Sequence, residues 1–289
     1  MKFGLRYCNT GRYVDAANAV ELAQAAEEAG FESLWTVEHT VVPADYQSAY
    51  PYSPDGKMAG GRDDFPIPDP LIWMSYVAAA TRRIKLATGI LILPQHNPVI
   101  TAKQVATLDH LSEGRVLLGI GVGWLKEEFD ALGADFASRG RRTDEYIEAL
   151  RALWTQARPT YHGEFVRFDA AYCRPRPTQG AVPIIVGGHS SAAARRAGRL
   201  GDGFFPARGL SEALLTLARD TAREHGRDPA EIEITASFPE RFESLDDLER
   251  LGVSRVLVPV GQMPGMGASV ATPEAALAFR EHIERHDRS

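Results

Sequence analysis

An acid next to a histidine, Glu38-His39, directly follows the apolar segment Ser33–Val37. An imidazole takes up and releases protons near neutral pH, and a neighbouring carboxylate can contact a ligand or orient the ring. Because side chains alternate along a strand, one of the two residues is expected to face a ligand. Both are therefore candidate catalytic and cofactor-binding residues. The alternative is that His39 anchors the loop after it through hydrogen bonds.

A glycine-rich turn between the β-branched segment Val182–Val186 and the helical segment Ser191–Leu200 is a candidate phosphate site. The turn consists of Gly187, Gly188, His189 and Ser190. Glycine leaves backbone N–H groups accessible, serine can cap the helix, and the N-terminus of a helix favours an anion. The alternative is a tight strand-to-helix turn without a ligand, which is common in α/β proteins.

Two further apolar segments carry glycine near their carboxyl ends. The first contains Thr88, Gly89 and Ile90, where glycine indicates a bulge or a close approach of the backbone to a ligand. The second has glycines at alternate positions before a tryptophan: Gly119, Gly121, Gly123 and Trp124. A planar ring could lie in the space beside these glycines, with the tryptophan at the mouth. The alternative at both places is packing of small residues inside a barrel.

Alternating strand and helix patterns indicate how these residues are positioned. Eight apolar segments read as strands buried on both faces: Lys2–Tyr7, Ser33–Val37, Ile84–Leu93, Arg115–Gly121, Val182–Val186, Gly203–Pro206, Glu231–Ala236 and Arg255–Val260. Helical patterns follow them: Val14–Ala29, Pro70–Thr81, Pro98–Leu111, Arg142–Trp154, Ser191–Leu200, Ser211–His225, Leu245–Leu251 and Pro273–Arg285. This order predicts an α/β fold, a (β/α)8 TIM barrel with ligands at the carboxyl ends of its strands. A doubly wound sheet is the alternative.

The whole chain, residues 1–289, is predicted to be one domain. Three segments lie outside its regular alternation of strands and helices. Thr40–Phe65 is long and rich in Pro, Gly, Asp and Tyr, which is typical of a lid or binding loop. Pro159–Gly180 is expected to form a small hairpin and an extended return to the next strand. Gly261–Ser269 reads as a flexible loop after the last strand.

Composition excludes several classes of function. The 289 residues carry a net charge of −6 without a basic tract, which argues against nucleic-acid binding. Two cysteines give no disulfide framework, and no spacing of His, Asp, Glu or Cys resembles a metal site. The N-terminus lacks the apolar core of a signal peptide, and no apolar segment is long enough to span a membrane. We therefore expect a cytoplasmic protein.

Several motifs in a fixed order resemble those of the bacterial luciferase-like flavin and deazaflavin oxidoreductases, most closely the members that use coenzyme F420. The matching segments are 33–39, 88–94 with Asn97-Pro98, 115–124, 142–154, 186–190 and 201–203. The resemblance is strong over residues 1–210 and weaker beyond them. It implies an oxidoreductase that transfers a hydride to or from a small organic substrate, and it implies a homodimer.

The resemblance also implies roles for the candidate residues. The cofactor ring would lie against the ends of the third and fourth strands, with a non-prolyl cis peptide near Gly89-Ile90 behind it. The phosphate would rest on Gly187, Gly188 and the amides of His189 and Ser190. His39 would handle the proton while Glu38 orients it or contacts the ring.

Alternative functions remain open from the sequence. Many F420-dependent relatives have Asp where this chain has Glu38, and flavin-using members also have Glu there. An FMN-dependent monooxygenase, supplied with reduced flavin by a partner reductase, is therefore the main alternative. A non-catalytic protein that binds a flavin or deazaflavin is a second alternative. A barrel lyase or isomerase that holds a substrate phosphate is a third.

Overall fold

Eight parallel strands close into a barrel in the computed structural model, which describes residues 1–53, 55–58, 63–239, 245–261 and 269–287. The strands, in chain order, are β1 (Lys2–Arg6), β2 (Ser33–Thr36), β3 (Lys85–Thr88), β4 (Leu91–Ile92), β5 (Val116–Gly121), β6 (Tyr161–His162), β7 (Arg167–Phe168), β8 (Ile184–Gly187), β9 (Gly203–Phe205), β10 (Glu233–Ser237) and β11 (Val253–Pro259). β4 continues β3 after a bulge, while β6 and β7 form a separate antiparallel hairpin.

The ladder of strand pairs shows that the barrel is closed. β1 pairs with β11 on one side and with β2 on the other, so Leu5 lies beside both Val258 and Leu34. The remaining neighbours are β2–β3, β3–β5, β5–β8, β8–β9, β9–β10 and β10–β11, all parallel. The predicted TIM barrel is confirmed, and pairing of the first strand with the last excludes the doubly wound sheet.

Ten helices surround the barrel within the described ranges. They are α1 (Ala16–Ala29), α2 (Pro70–Ala78), α3 (Pro98–Leu111), α4 (Lys126–Ala131), α5 (Arg139–Thr155), α6 (Ser191–Leu200), α7 (Glu212–Glu224), α8 (Leu245–Arg250), α9 (Pro273–Ala278) and α10 (Arg280–Asp287). Local signals explain several ends: Asp69 and Asn97 cap α2 and α3 through their side chains, each before a proline in the first turn. Gly30 ends α1 in the left-handed conformation with φ 92°.

The predicted elements differ from the structure in four places. The segment Ile84–Leu93 is divided by a bulge at Gly89-Ile90, where the peptide bond is cis, as the resemblance implied. α1 begins at Ala16 because a separate 3-10 turn occupies Gly11–Val14. The last predicted helix is two helices, α9 and α10, and α4 was not predicted at all because six residues are too short to show a helical period. The predicted hairpin is confirmed, whereas most of the loop 261–269 lies outside the described residues.

Side chains inside the barrel form a layer separate from the larger core between strands and helices. Its buried members are Trp35, Ala87, Leu117, Ile185, Phe205 and Leu257. Gly4 belongs to the same layer, because a Cβ there would lie 2.7 Å from Leu257 Cδ2 and 3.1 Å from Trp35 Nε1. This apolar layer closes the barrel in the middle, so ligands have access only from the ends.

Candidate active site

The first side-chain pair at the carboxyl end of the barrel joins His39, just after β2, to Glu128 of α4. His39 Nδ1 lies 3.0 Å from Glu128 Oε2, and the side chains are 12% and 0% exposed. Glu128 Oε1 accepts hydrogen bonds from the backbone N–H groups of Thr40 at 2.6 Å and Val41 at 3.3 Å. Burial raises the pKa of Glu128, but the hydrogen bond and charge of His39, followed by the neighbouring Gln95 side chain and the Val41 amide, outweigh it and hold the pKa below its ordinary value. Glu128 is therefore an anion at neutral pH.

A second pair joins Glu38 to His96, in the turn that leads into α3. His96 Nε2 lies 2.9 Å from Glu38 Oε1, and the other oxygen of Glu38 accepts the N–H of Ile92. Burial lowers the pKa of His96, but the hydrogen bond and charge of Glu38, with Asp69 and Glu128 nearby, outweigh it and raise the pKa above its ordinary value. Glu38 and His39 are adjacent in the sequence, but their side chains therefore have different partners.

An aromatic wall stands beside His39. It consists of Tyr46 and Tyr50 from the loop after β2 and of Trp124, which follows β5. The Trp124 ring lies edge to face with His39, Tyr46 and Tyr50, at centroid distances of 5.9, 5.4 and 5.1 Å. Burial, with Tyr7 and Tyr52 close by, raises the pKa of Tyr50 to about 12, so its hydroxyl keeps its proton at neutral pH. The described part of the predicted binding loop thus packs against the barrel mouth.

Ile90 fills the space beside two of the strand-end glycines. A Cβ on Gly121 would lie 2.5 Å from Ile90 Cδ1, and a Cβ on Gly187 would lie 2.6 Å from Ile90 Cγ2. The glycines of β5 and β8 therefore admit the side chain that follows the cis peptide. Ile90 itself is only partly buried, so it offers an apolar surface at the mouth.

The other glycines of this run, Gly119 inside β5 and Gly123 just after it, also make room for the protein's own atoms. A Cβ on Gly119 would lie 1.9 Å from the carbonyl oxygen of Thr88, whose hydroxyl donates to the Gly119 carbonyl at 2.6 Å. A Cβ on Gly123 would lie 2.7 Å from the ring of Phe129. The prediction that alternating glycines leave open space for a planar ring is thus corrected: atoms of β3, of the bulge at Ile90 and of α4 occupy that space.

The glycine-rich turn joins β8 to α6 as predicted. Gly188 has φ 134°, and its N–H donates to the carbonyl of Phe205 at 3.2 Å, so this amide belongs to the sheet. Ser190 caps α6 by accepting the N–H of Ala193 at 3.2 Å. His189 accepts the N–H of Arg208 through Nδ1 at 3.3 Å. The N-terminus of α6 therefore points toward the end of the barrel that holds His39.

No sequence pattern marked Glu128 or His96 as a functional residue. Glu128 lies 89 residues from His39 along the chain, and His96 lies 58 residues from Glu38. Each of these contacts joins the ends of different strands, and a single sequence carries no signal for that pairing. Within the described ranges, no group of three or more His, Cys, Asp or Glu side chains is arranged to hold a metal ion. In the same ranges, no helix has the length and hydropathy that crossing a membrane requires.

Comparison with known proteins identifies the family. The profile of the luciferase-like monooxygenase domain matches residues 4–240. The chain belongs to the luciferase-like monooxygenase family. The resemblance stated from the sequence motifs is thereby confirmed.

Named relatives within this family include F420-dependent enzymes. An F420-dependent glucose-6-phosphate dehydrogenase of Kineococcus radiotolerans is 30% identical over 88% of this chain and 72% of its own length. An uncharacterised protein of Mycobacterium tuberculosis is 38% identical over 65% of this chain, and the match spans 65% of that relative's length. An F420-dependent secondary alcohol dehydrogenase, solved with an F420–acetone adduct, has a TM-score of 0.75 at 19% identity over 97% of both chains. This likeness in structure shows the shared fold.

Proposed function

We propose that this luciferase-like protein is an F420-dependent oxidoreductase that transfers a hydride to or from a small organic substrate. The observation that carries the proposal is the His39–Glu128 pair, 3.0 Å apart, at the barrel end that also holds the partly exposed Ile90 and the N-terminus of α6. The names of the relatives support coenzyme F420 as the cofactor. FMN is the alternative cofactor.

The residues at the barrel end fit a cofactor with a flat ring and a phosphate. Ile90, held between Gly121 and Gly187, offers an apolar surface behind the ring. The amides of His189 and Ser190 would bind the phosphate, favoured by the N-terminus of α6, while Gly187 and Gly188 would let it approach the backbone closely. When bound, the deazaflavin supplies a ring carbon that gives or takes a hydride.

His39 is the residue that we assign to proton transfer. Its Nδ1 faces Glu128, and within the described ranges no residue hydrogen-bonds its Nε2. Nε2 would therefore hold or release the proton that accompanies hydride transfer. Glu38 is bound to His96 and to the Ile92 amide, so we assign it to fixing the bulge that carries Ile90 rather than to acid–base chemistry.

The loop after β2 is assigned to enclosing the substrate. Tyr46 and Tyr50 pack on Trp124, so their rings would shield one side of the mouth from water. Such shielding would strengthen the electrostatic interactions of His39 with a ligand. The substrate itself, a partner reductase and a cytoplasmic location stay predictions.

Paired titrations of the purified protein with coenzyme F420 and with FMN, at equal ionic strength, test the cofactor assignment by fluorescence. Micromolar or tighter binding of F420 alone is expected. Binding of FMN alone would replace the proposal with an oxygen-using monooxygenase supplied by a reductase. Binding of neither cofactor would overturn the proposal, and tight binding without turnover of any alcohol, ketone, imine or alkene would favour a non-catalytic binding protein.

A homodimer is also proposed, on the basis of one apolar surface. Ile72 and Tyr76 of α2 are 73% and 54% exposed, and Val99 and Ile100 of the neighbouring α3 are 39% and 58% exposed. Apolar side chains clustered on adjacent helices mark an interface, and a second copy of this chain is the partner that the family resemblance implies. Sedimentation equilibrium of the wild type and of I72D/Y76D tests it: a dimer that becomes a monomer is expected, and an unchanged mass would exclude this surface.

A further inference from the structure

Two consecutive acids at the start of α4, Glu127 and Glu128, hold the same loop in different ways. Glu127 Oε1 accepts the backbone N–H groups of Gln47 and Ser48 at 2.7 and 3.0 Å, and its Oε2 accepts the Ser48 hydroxyl at 2.6 Å. All three donors belong to the loop. Glu127 therefore only anchors the segment that carries part of the aromatic wall.

Glu128 divides its two oxygens between the loop and the imidazole. Oε1 accepts the N–H groups of Thr40 and Val41, while Oε2 faces His39 Nδ1. The carboxylate is fully buried, so water does not compete for these positions. An anionic oxygen accepts but cannot donate, so the nitrogen facing it must carry a proton.

We propose that Glu128 is the positioning residue for His39: it selects the Nδ1–H tautomer and so leaves the lone pair on Nε2 free to accept a proton from the substrate. This inference rests on the proposed function, in which His39 transfers the proton. When Nε2 takes up a proton, the ring becomes a cation and Glu128 offsets its charge at 3.0 Å. In substrate oxidation the hydride would pass to the bound cofactor and the proton would leave Nε2 to water. In substrate reduction the protonated Nε2 would give its proton to the substrate.

The substitution E128Q tests the tautomer directly, because glutamine keeps the shape but replaces one acceptor by a donor. The amide oxygen would still accept the backbone N–H groups of Thr40 and Val41. This places the NH2 group of the glutamine opposite His39 Nδ1. The variant is therefore expected to carry its proton on Nε2. The ¹⁵N shifts and ring couplings of His39 in the full-length protein, at a pH where the ring is neutral, distinguish the two tautomers without any substrate.

The adjacent substitution E127Q is the matched control. It keeps the same loop anchored, so we expect the wild-type tautomer of His39. In F420-loaded protein, E128Q should lower kcat for a panel of small secondary alcohols by about 10- to 100-fold while the Kd for F420 stays within about threefold. E127Q should change kcat by less than about threefold.

Two results would overturn the inference. An E128Q protein whose His39 keeps the proton on Nδ1 would show that Glu128 does not select the tautomer. Equal losses of kcat in E128Q and E127Q would show that both acids merely anchor the loop. A failure of the proposed function is distinguishable, because the wild type would then neither bind F420 nor turn over the alcohols, while the tautomer experiment, which needs no cofactor or substrate, still reported on Glu128.

Discussion

The two ends of the barrel both hold buried charges, but they use them differently. At the amino-terminal end, Arg255 is fully buried, with its guanidinium 2.9 Å from Glu32 and 2.8 Å from Glu233. Lys85 also pairs with Glu32, and Lys2 pairs with Glu233. At the carboxyl-terminal end, each imidazole has one carboxylate: His39 with Glu128, and His96 with Glu38.

The difference separates a structural charge network from a site that can react. A guanidinium held by two carboxylates keeps its proton at all physiological pH values and has its charge satisfied. An imidazole held at one nitrogen retains a second nitrogen for a ligand and can change its charge near neutral pH. The charge pairs at the amino-terminal end should thus contribute to stability. The charge pairs at the carboxyl-terminal end should contribute to turnover.

The largest effect is expected from removing the imidazole of His39. H39A should lower turnover by about 10²- to 10⁴-fold, because a positioned acid–base group contributes that much, while F420 affinity stays within about threefold. Steady-state kinetics and F420 titration measure the two quantities. H162A is the control, since His162 pairs with Asp169 at 2.7 Å on the exposed hairpin and has no contact with His39 or Glu128. Full activity of H39A would remove His39 from the mechanism.

Replacing Arg255 should affect stability instead. R255M leaves the partly buried carboxylates of Glu32 and Glu233 without their main partner, so the free energy of unfolding should fall by about 3–5 kcal/mol. Urea denaturation measures the loss, and the F420 affinity of the folded variant should not change. R250A, which removes an exposed pair with Asp247, should cost less than about 1 kcal/mol. Equal free energies of unfolding for R255M and R250A would contradict a stabilising role of the Arg255 network.

Acid should weaken the amino-terminal network in a defined pH range. Burial raises the pKa of Glu32, but the hydrogen bond and charge of Arg255, with Ser33 and Lys85, outweigh it and lower the pKa from 4.5 to about 2. A lowered pKa in the folded state stabilises the fold above pH 4.5, and this stabilisation of about 3 kcal/mol is lost as the pH falls toward 2.

Unfolding free energies measured between pH 6 and pH 2 in the wild type and E32Q test this dependence. The wild type should lose more stability than E32Q over that range, because the variant has no carboxylate to protonate at this position. Parallel curves for the two proteins would show that Glu32 does not contribute.

The smallest effect concerns the glycine turn at the carboxyl-terminal end. G188V places a β-branched residue at φ 134°, with its Cβ 3.0 Å from Ala193 Cβ in the first turn of α6, and should weaken F420 binding by about 100-fold. G180V, at φ 81° with open space around it, imposes similar strain before β8 and should leave the F420 Kd unchanged. Equal affinities of the two variants would exclude the turn as the phosphate site.

Local sequence patterns predicted most of the fold because each barrel strand is a short apolar segment between helical segments. The strand Val116–Gly121 and the helix Ser191–Leu200 match their predicted bounds within one residue. α4 was missed because its six residues follow no helical period. That omission also concealed Glu128, since nothing nearby in the sequence marks it as the partner of His39.

The sequence by itself determined the alternation of strands and helices and the family, and it marked Glu38, His39 and the turn at Gly187-Gly188 as candidates. Only the tertiary structure decided that Glu38 faces His96 while His39 faces Glu128, and that Ile90 occupies the space beside Gly121 and Gly187. The physical reason is that backbone periodicity is encoded over a few residues. The partner of a buried charge is instead set by which strand ends meet when the barrel closes.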